Sequence, residues 1–466
     1  MKISLSNANL RRLVQLLCLL GFLWLFVQTE YRGLDELPYP VSLLFRIDPL
    51  AALADFLAPG PFSWALWPAL MLLILTAVFG RFFCGWVCPL GTAIDGCGKL
   101  IGRGRNMCNS GWRKVKYLLL LTLTVASFGG VQLLGIFDPL AIFLRSLTLS
   151  IYPAYNLAMN GLFEVSYQYN LPVLNDVYPV FRDNLMAFFQ PSYSLGLFTL
   201  LVFLLILLLE RVERRFWCKN LCPLGALLGI CSSRALLVRL PDGLCDDCRK
   251  CERDCRMDAV KETGQALGEC IECLDCNDYC PQQRVSFVLT GPRPKQKRVD
   301  LSRRDLLLSV SAGAVIAPVT RIAPESYKLN PYLIRPPGAL GEAEFLRRCV
   351  RCGECMKVCI GQALHPALIE AGTTGLWTPL LKARLGYCEY NCTLCGQVCP
   401  TGAIRKLPIA EKRKTVIGLA VFDKNRCLPF ARQEECLVCE EHCPTGEKAI
   451  IFEDKLVFVD GQERSL

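Results

Sequence analysis

The cysteines of this 466-residue chain recur at fixed intervals, and those intervals restrict its fold more than any other feature. CDDCRKCERDC supplies Cys245, Cys248, Cys251 and Cys255, and CIECLDCNDYCP supplies Cys270, Cys273, Cys276 and Cys280 at the same spacing. CVRCGECMKVC supplies Cys349, Cys352, Cys355 and Cys359. CEYNCTLCGQVCPTGAI follows with Cys388, Cys392, Cys395 and Cys399, its first gap widened by one residue. CLPFARQEECLVCEEHCPTGEKAI ends the series with Cys427, Cys436, Cys439 and Cys443, its first gap widened to eight. A packed core does not require thiols at such intervals, whereas a multi-ligand inorganic centre does.

Three close thiolates plus a distant fourth suit the corners of an iron–sulfur cubane, with fourth ligands exchanged between neighbouring quartets. The crossed assignment for the first pair is Cys245, Cys248, Cys251 and Cys280 for one cluster, and Cys270, Cys273, Cys276 and Cys255 for its neighbour. Structural zinc ribbons use separated cysteine pairs and leave the third cysteine of each short run without a purpose. Twenty cysteines in five quartets could hold up to five [4Fe-4S] clusters. Arg256 stands after Cys255 where proline is usual, which weakens a turn signal and not the ligand count.

The remaining composition points to a lipid bilayer. Hydrophobic residues make up 52% of the chain, and four apolar runs read as long enough to cross a hydrocarbon core of about 30 Å: Leu13 to Val27, Trp64 to Phe79, Tyr117 to Phe137 and Leu195 to Leu209. Basic residues gather at one side of them: Lys2, Arg11 and Arg12; Arg81, Arg113, Lys114 and Lys116; Arg211, Arg214, Arg215 and Lys219. The connections Glu30 to Ser63 and Asp138 to Tyr193 are poor in them, so the amino terminus is expected in the cytoplasm. The same asymmetry accounts for the net charge of +10, and without a basic stripe interleaved with aromatics nucleic acid is not an expected partner. Haem is not expected either. The two histidines, His365 and His442, lie outside the apolar runs, and both read as packing or surface residues.

The greasy half repeats itself. GRFFCGWVCPLGTAIDGC (Gly80 to Cys97) and RRFWCKNLCPLGALLGIC (Arg214 to Cys231) share Cys-x3-Cys-Pro-Leu-Gly, and IDPLA (Ile47 to Ala51) is echoed by FDPLA (Phe137 to Ala141). Two matched signals in the same order indicate two copies of one unit about an approximate two-fold axis. Such symmetry can bring Cys84, Cys88, Cys218 and Cys222 into one redox or metal site at the membrane edge, where soft thiolates suit iron and sulfur or a redox-active dithiol. Cys18, alone among leucines, reads as a small buried hydrophobe, and Cys97, Cys108 and Cys231 stay open between that reading and a role.

Between the two cysteine-rich parts lies GPRPKQKRVDLSRRDLLLSVSAGAVIAPV. Ser-Arg-Arg-Asp-Leu-Leu, with Arg303 and Arg304, resembles a twin-arginine export motif placed inside a chain, and the apolar run after it reads as a short fifth helix. The competing reading is a buried helix with an accidental arginine pair.

With these residues in hand, the chain resembles a fusion of two families. Residues 1 to about 290 resemble the NapH type of polyferredoxin membrane protein, on the two Cys-x3-Cys-Pro motifs and the double quartet. Residues from about 300 onward resemble the exported NapG-type and methylamine-utilisation ferredoxins. The resemblance implies a quinol dehydrogenase component passing electrons to a periplasmic cytochrome or reductase, though no residue by itself marks a quinone site. The NapG type carries four quartets and this chain has three after Arg304. The second and third could exchange Cys399 and Cys443, leaving Cys349, Cys352, Cys355 and Cys359 self-contained or incomplete; a shortened reading frame is the other explanation, and the sequence leaves both open.

The expected fold is a membrane all-α protein, a four-helix duplicated core plus a fifth helix, with α+β ferredoxin-like 4Fe-4S modules. Residues 1–235 form the membrane domain, 240–290 a double 4Fe-4S domain, 291–320 the basic linker and short helix, and 340–466 the second ferredoxin domain. The expected location is the bacterial inner membrane, with the last module periplasmic. The alternative function is a cytoplasm-facing iron–sulfur redox sensor or metal-handling membrane protein.

Overall fold

A computed structural model describes the chain except for residues 1–6, 61–62, 103, 105–110, 242–247, 262–263, 281–284, 290–298, 300, 323–332, 433, 444–447, 452–455, 460–461 and 466. Cys108 and Cys245 therefore lie outside the described residues, as does most of the basic linker.

The protein is mostly helical, and its two repeats are built from the same parts in the same order. In the first, α1 (Asn7–Gln28) is followed by the short α2 (Pro49–Leu57), then α3 (Trp67–Phe79), then α4 (Pro89–Leu100). In the second, α5 (Arg113–Phe128) is followed by α6 (Pro139–Ser146), a longer excursion through the helices Tyr152–Gln168 and Pro172–Asn184, then α7 (Gly196–Leu208) and α8 (Pro223–Cys231). Proline sets the start of α2, α4, α6 and α8, because its fixed φ suits the first helical turn and its missing N–H costs nothing there. The caps are Asp48, Cys88, Asp138 and Cys222, the conserved elements of the two repeated motifs within this chain.

These short helices pack across the repeats. α4 meets α6 and α8 meets α2, so the capped ends of helices from both halves converge in one core that includes Leu50, Leu90, Leu140 and Leu224, all nearly inaccessible. Outside this core, the long helices face outward with leucine. Leu13, Leu16, Leu17 and Leu20 of α1, Leu70 and Ile74 of α3, and Leu201, Leu204, Leu205 and Leu208 of α7 are all exposed. An apolar belt of this extent calls for lipid or protein around it. Among the described residues, one helix, Ala8–Gln28, is long and apolar enough to cross a bilayer alone. The four long crossings expected from the apolar runs are thus not all present as single long helices. The second run becomes a 13-residue helix after a turn of 3-10 helix, and the third ends at Phe128, before the Gly129–Gly130 pair.

A last long helix, α9 (Arg303–Ile322), runs alongside and parallel to α5. Lys114 Nζ lies 3.4 Å from Asp305 at one end, and Thr122 donates to the Ser309 carbonyl at 3.2 Å further along. The two polar modules contribute the only β-structure in short antiparallel pairs among the described residues: Leu237–Pro241 with Val285–Leu289 and Val260–Lys261 with Gly264–Gln265 in the first, and Leu364–Pro366 with Pro379–Leu381 in the second, with Leu456–Val459 and Gln462–Ser465 near the end of the chain.

Both modules dock on the helices, at opposite ends. At the start of α1, Arg11 pairs with Asp275 at 2.6 Å and donates to the Cys273 carbonyl at 3.0 Å. Just past the end of α3, Arg81 donates to the Gly268 carbonyl at 3.0 Å, and at the start of α5 Lys116 pairs with Glu269. At the other end of the same helices the second module takes over. Lys357 pairs with Glu30 just past α1, Trp377 donates to Thr199 at the start of α7 at 3.0 Å, and Tyr193 donates to the Met356 carbonyl at 3.0 Å. Glycine permits the closest backbone approach at each interface, Gly85 against Ile271 at one end and Gly135 against Val350 at the other.

Candidate iron–sulfur centres

The second module shows most directly how its thiols are grouped. The short helices Glu354–Lys357 and Leu394–Gln397 pack together, and each carries the third cysteine of its quartet while the fourth follows just beyond. Cys352 and Cys355 therefore share the surroundings of Cys349 and Cys399, whereas Cys359 sits with Cys388, Cys392 and Cys395. The exchange of Cys399 with Cys443 allowed by the sequence is not what the structure holds: Cys399 joins the first quartet and Cys359 the second. The third quartet is the most open of the three among the described residues. Its helices Leu428–Arg432 and Val438–Glu441 bury no residue, and Cys439 is exposed.

The grouping fits the chemistry of a cubane. Cys359, Cys388, Cys392 and Cys395 line one small cavity, together with Pro336, Pro337 and Leu381. Burial is the main cause that pushes the thiols of both groups up: Cys392 to about 12, and Cys352 and Cys355 of the neighbouring group well above their ordinary range. Four thiols raised together ionise when a cationic centre compensates them, as iron does. In the first module Cys270, Cys273 and Cys276 share the field of Cys255, the crossed arrangement. Arg239 donates to Cys251 Sγ at 3.2 Å, the Ala259 N–H donates to Cys255 Sγ at 3.3 Å and the Ile404 N–H donates to Cys399 Sγ at 3.4 Å. Hydrogen bonds to cluster sulfurs of this kind raise the reduction potential by stabilising the added negative charge. Cys248 is exposed, and Cys280 is half-buried.

Between the modules, the structure brings the two Cys-x3-Cys-Pro motifs together. Cys84, Cys88, Cys218 and Cys222 lie within one another's field, Cys88 and Cys222 buried as helix caps. The Gly225 N–H donates to Cys222 Sγ at 3.3 Å. Two buried arginines, each three residues before the first cysteine of its motif, cross to the other repeat. Arg215 donates to the Cys84 carbonyl at 3.0 Å, and Arg81 lies against Gly225 and 4.0 Å from Cys84 Sγ. Four thiols, two fixed positive charges and the N-termini of α4 and α8 make a setting for concentrated negative charge. The sequence counted Arg81 and Arg215 only as members of a basic flank; their place three residues before a duplicated cysteine was the signal that distinguishes them.

Arg303 and Arg304 are exposed at the start of α9, at the end of the helices where the first module docks. His365 is buried against the Tyr193 ring, 5.9 Å between centroids, and burial favours its neutral form. His442 is exposed, its ring 3.0 Å from the Val438 carbonyl. Both are placed as packing or surface residues. Cys18, Cys97 and Cys231 are half-buried.

These arrangements define an iron–sulfur electron-transfer protein of the ferredoxin type. A family model described as a 4Fe-4S binding domain matches residues 61–108 and 195–240, the two segments that carry the Cys-x3-Cys-Pro motifs. The methylamine utilization ferredoxin-type protein MauM of Methylorubrum extorquens is 36% identical over 161 residues, 33% of this chain and 71% of that protein. The ferredoxin-type protein NapG of Escherichia coli is 32% identical over 153 residues, 32% of this chain and 64% of that protein. The putative electron transport protein YccM of Escherichia coli is 27% identical over 241 residues, 49% of this chain and 57% of that protein. No solved structure matches. The chain belongs to the family of ferredoxin-type proteins represented by MauM. Its function is iron–sulfur electron transfer, and its cofactors are 4Fe-4S clusters.

Proposed function

We propose that this protein is a multi-pass inner-membrane relay that carries electrons from quinol, or from a cytoplasmic donor, to a periplasmic redox protein. The observation that carries the reading is the docking of the two cysteine-rich modules at opposite ends of the same helices. α1, α3, α5, α7 and α9 then cross the bilayer, with the broken helices α2, α4, α6 and α8 buried between them. Broken helices at membrane depth are tolerated where protein surrounds them and side chains satisfy their ends. The amino terminus and the first module face the cytoplasm, the side on which the basic residues gather. The second module faces the periplasm, with α9 as the crossing that follows the Arg303–Arg304 pair.

In this reading, Cys245, Cys248, Cys251 and Cys280 hold one cluster and Cys270, Cys273, Cys276 and Cys255 its neighbour. Cys349, Cys352, Cys355 and Cys399 hold a third, and Cys388, Cys392, Cys395 and Cys359 a fourth. Cys427, Cys436, Cys439 and Cys443 form the outermost site. Cys84, Cys88, Cys218 and Cys222 supply a further centre between the modules, which shortens the gap an electron must cross. The iron–sulfur groups supply one-electron carriers; the chain holds them in sequence, excludes water around the inner ones and sets their charge environment.

Paired reporters test the topology. A carboxyl-terminal fusion to an enzyme active only outside the cytoplasm is expected to be active, and the same enzyme inserted after residue 290 silent. Activity in the reverse pattern, or silence at both, overturns the trans-membrane relay.

A further inference from the structure

The two repeats place opposite charges at one equivalent position, and both charges reach the same loop of the second module. Asp55 and Arg145 each stand seven residues after the aspartate of their Asp-Pro-Leu-Ala motif, and each is 2% exposed. On the first repeat, the helix Glu342–Arg348 packs against α2. There Asp55 lies 3.7 Å from Arg348, which also donates to the Pro59 carbonyl at 2.7 Å. On the second repeat, Arg145 of α6 donates to the Arg351 carbonyl at 3.2 Å and to the Ile136 carbonyl at 3.2 Å. Arg348 precedes Cys349 and Arg351 precedes Cys352, so each repeat holds the chain one residue before a cysteine of that module's first quartet.

The contact with Arg145 goes deeper than docking. Val350 and Cys352 are buried in the same core as Leu140, Leu144 and Leu147 of the helices, and the helix Glu354–Lys357 packs on the turn Leu147–Ile151 that continues α6. A Cβ on Gly353 would stand 3.7 Å from Arg145 Cα, so the residues on both sides of Cys352 lie against Arg145. Its guanidinium sits 4.0 Å from the centre of the Trp377 ring, and its Nε has no acceptor among the described residues. The partners of this buried cation are thus two carbonyls and an indole face, and none of them cancels its charge. Asp138 is the acidic group that acts on it, and the two make no ion pair among the described residues.

We infer that Arg145 raises the reduction potential of the centre at Cys349, Cys352, Cys355 and Cys399. The inference rests on the proposed assignment of a cluster to those four cysteines and adds to it the residue that tunes that cluster from the helices. A buried cation is costly unless an opposite charge compensates it. A cubane held by four thiolates is negative overall and gains one more negative charge on reduction, so a fixed cation beside it favours the reduced state. The effect is large in a buried setting, where solvent screens it little. Asp55 carries the opposite sign at the equivalent position and is matched by Arg348, so it docks the loop without favouring reduction. The duplicated frame thus divides two tasks between its halves: one holds the loop, and the other also sets its charge.

The full-length protein in detergent is titrated with dithionite at controlled potentials, and its centres are followed by electron paramagnetic resonance; the signal that Cys399→Ser removes belongs to this centre. Arg145→Gln puts an uncharged donor in place of the guanidinium, and Arg145→Met fills the space with neither donor nor charge. In both, the ratio of reduced to oxidised centre at a fixed potential is expected to fall about tenfold, a shift of about 59 mV for a one-electron couple. The centre at Cys359, Cys388, Cys392 and Cys395 is expected to shift much less. Arg145→Lys restores a charge and is expected to bring the potential back toward the wild-type value. Asp55→Asn loosens the same loop from the other repeat and is expected not to lower the potential, whereas a merely structural effect would lower it alike in both. Wild-type potentials in both neutral variants, a fall in Arg145→Lys equal to that in Arg145→Gln, or an equal fall in Asp55→Asn overturns the role of Arg145. Loss of the centre's iron from both neutral variants overturns it as well, because the residue then only holds the loop. If Cys399→Ser leaves the iron content of the otherwise wild-type protein undiminished, the cluster assignment fails instead, a result read without any Arg145 variant.

Discussion

Arg215 of the second repeat grips Asp95 of the first through two hydrogen bonds, Nε at 3.1 Å and Nη2 at 2.7 Å, with both side chains almost wholly removed from solvent. Arg256 of the first module reaches the same carboxylate at 3.0 Å, so one acidic side chain joins both repeats and a cluster-bearing domain. Replacing it by alanine leaves the buried Arg215 guanidinium without its counter-charge and Arg256 with Asp275 alone, and breaking a buried pair in this way typically costs about 3–5 kcal/mol. Asp95→Ala is expected to lower the thermal midpoint in detergent and to increase hydrogen exchange in Gly264–Cys280. An unchanged midpoint and exchange pattern would show that the carboxylate is not a joint.

The same residue sets an acid limit. Burial opposes ionisation of Asp95, but Arg215 and then Arg256 outweigh it and hold the carboxyl well below the usual carboxylate range. A carboxyl depressed in the folded state contributes stability that is complete above its unfolded value of about 3.9 and is lost as the pH falls below that value. Between pH 7 and about 5 the thermal midpoint should owe no pH dependence to this group. Below about pH 4 the wild type should lose stability more steeply than Asp95→Asn, in which that contribution is already gone. Parallel acid titration curves for the two proteins would contradict the assignment.

The crossing of Cys359 and Cys399 makes a prediction that no reading by quartet in sequence order makes. Cys399→Ser should disturb the signal of the centre at Cys349, Cys352 and Cys355, and Cys359→Ser that of the centre at Cys388, Cys392 and Cys395. Each should lose up to about four iron atoms and a matching amount of acid-labile sulfide per chain, the content of one cubane. Cys443→Ser should leave both signals in place. Should Cys443→Ser instead remove the centre that contains Cys395, the second and third quartets exchange ligands after all.

Much of this was readable from spacing. Ligands recur at intervals set by their own chemistry, so the quartets, the duplicated Cys-x3-Cys-Pro pair and the repeated Asp-Pro-Leu-Ala were visible without coordinates. Their partners were not. Arg11, Arg81, Arg215 and Lys116 look like charges for the cytoplasmic face, and in the fold they are 0–1% exposed beneath the first module. A basic residue at a helix end has the same local sequence whether its counter-ion is a headgroup or an acidic loop 153 residues away, as for Lys116 and Glu269. The packing of the short helices across the two repeats was hidden for a related reason. A repeat implies an axis, but which of its side chains lie on that axis is decided by packing of α2 against α8 and of α6 against α4.

The two glycine contacts offer a way to loosen one module at a time. A Cβ on Gly135 would overlap the Val350 backbone, and one on Gly85 the Ile271 carbonyl. Backbone cannot yield as a flexible side chain does, so valine at either position should lift the facing module and cost about 1–3 kcal/mol of docking. Gly135→Val should raise hydrogen exchange around Cys349–Lys357 and leave Cys270–Cys280 protected; Gly85→Val should do the opposite. The electron path would show the same polarity. With Gly135→Val, reductant added at the first module should still reduce the centre at Cys270, Cys273, Cys276 and Cys255, while the second module's centres follow more slowly. Equal slowing at both modules in both variants would mean that the helices transmit the disturbance from end to end and that the two docking surfaces are not independent.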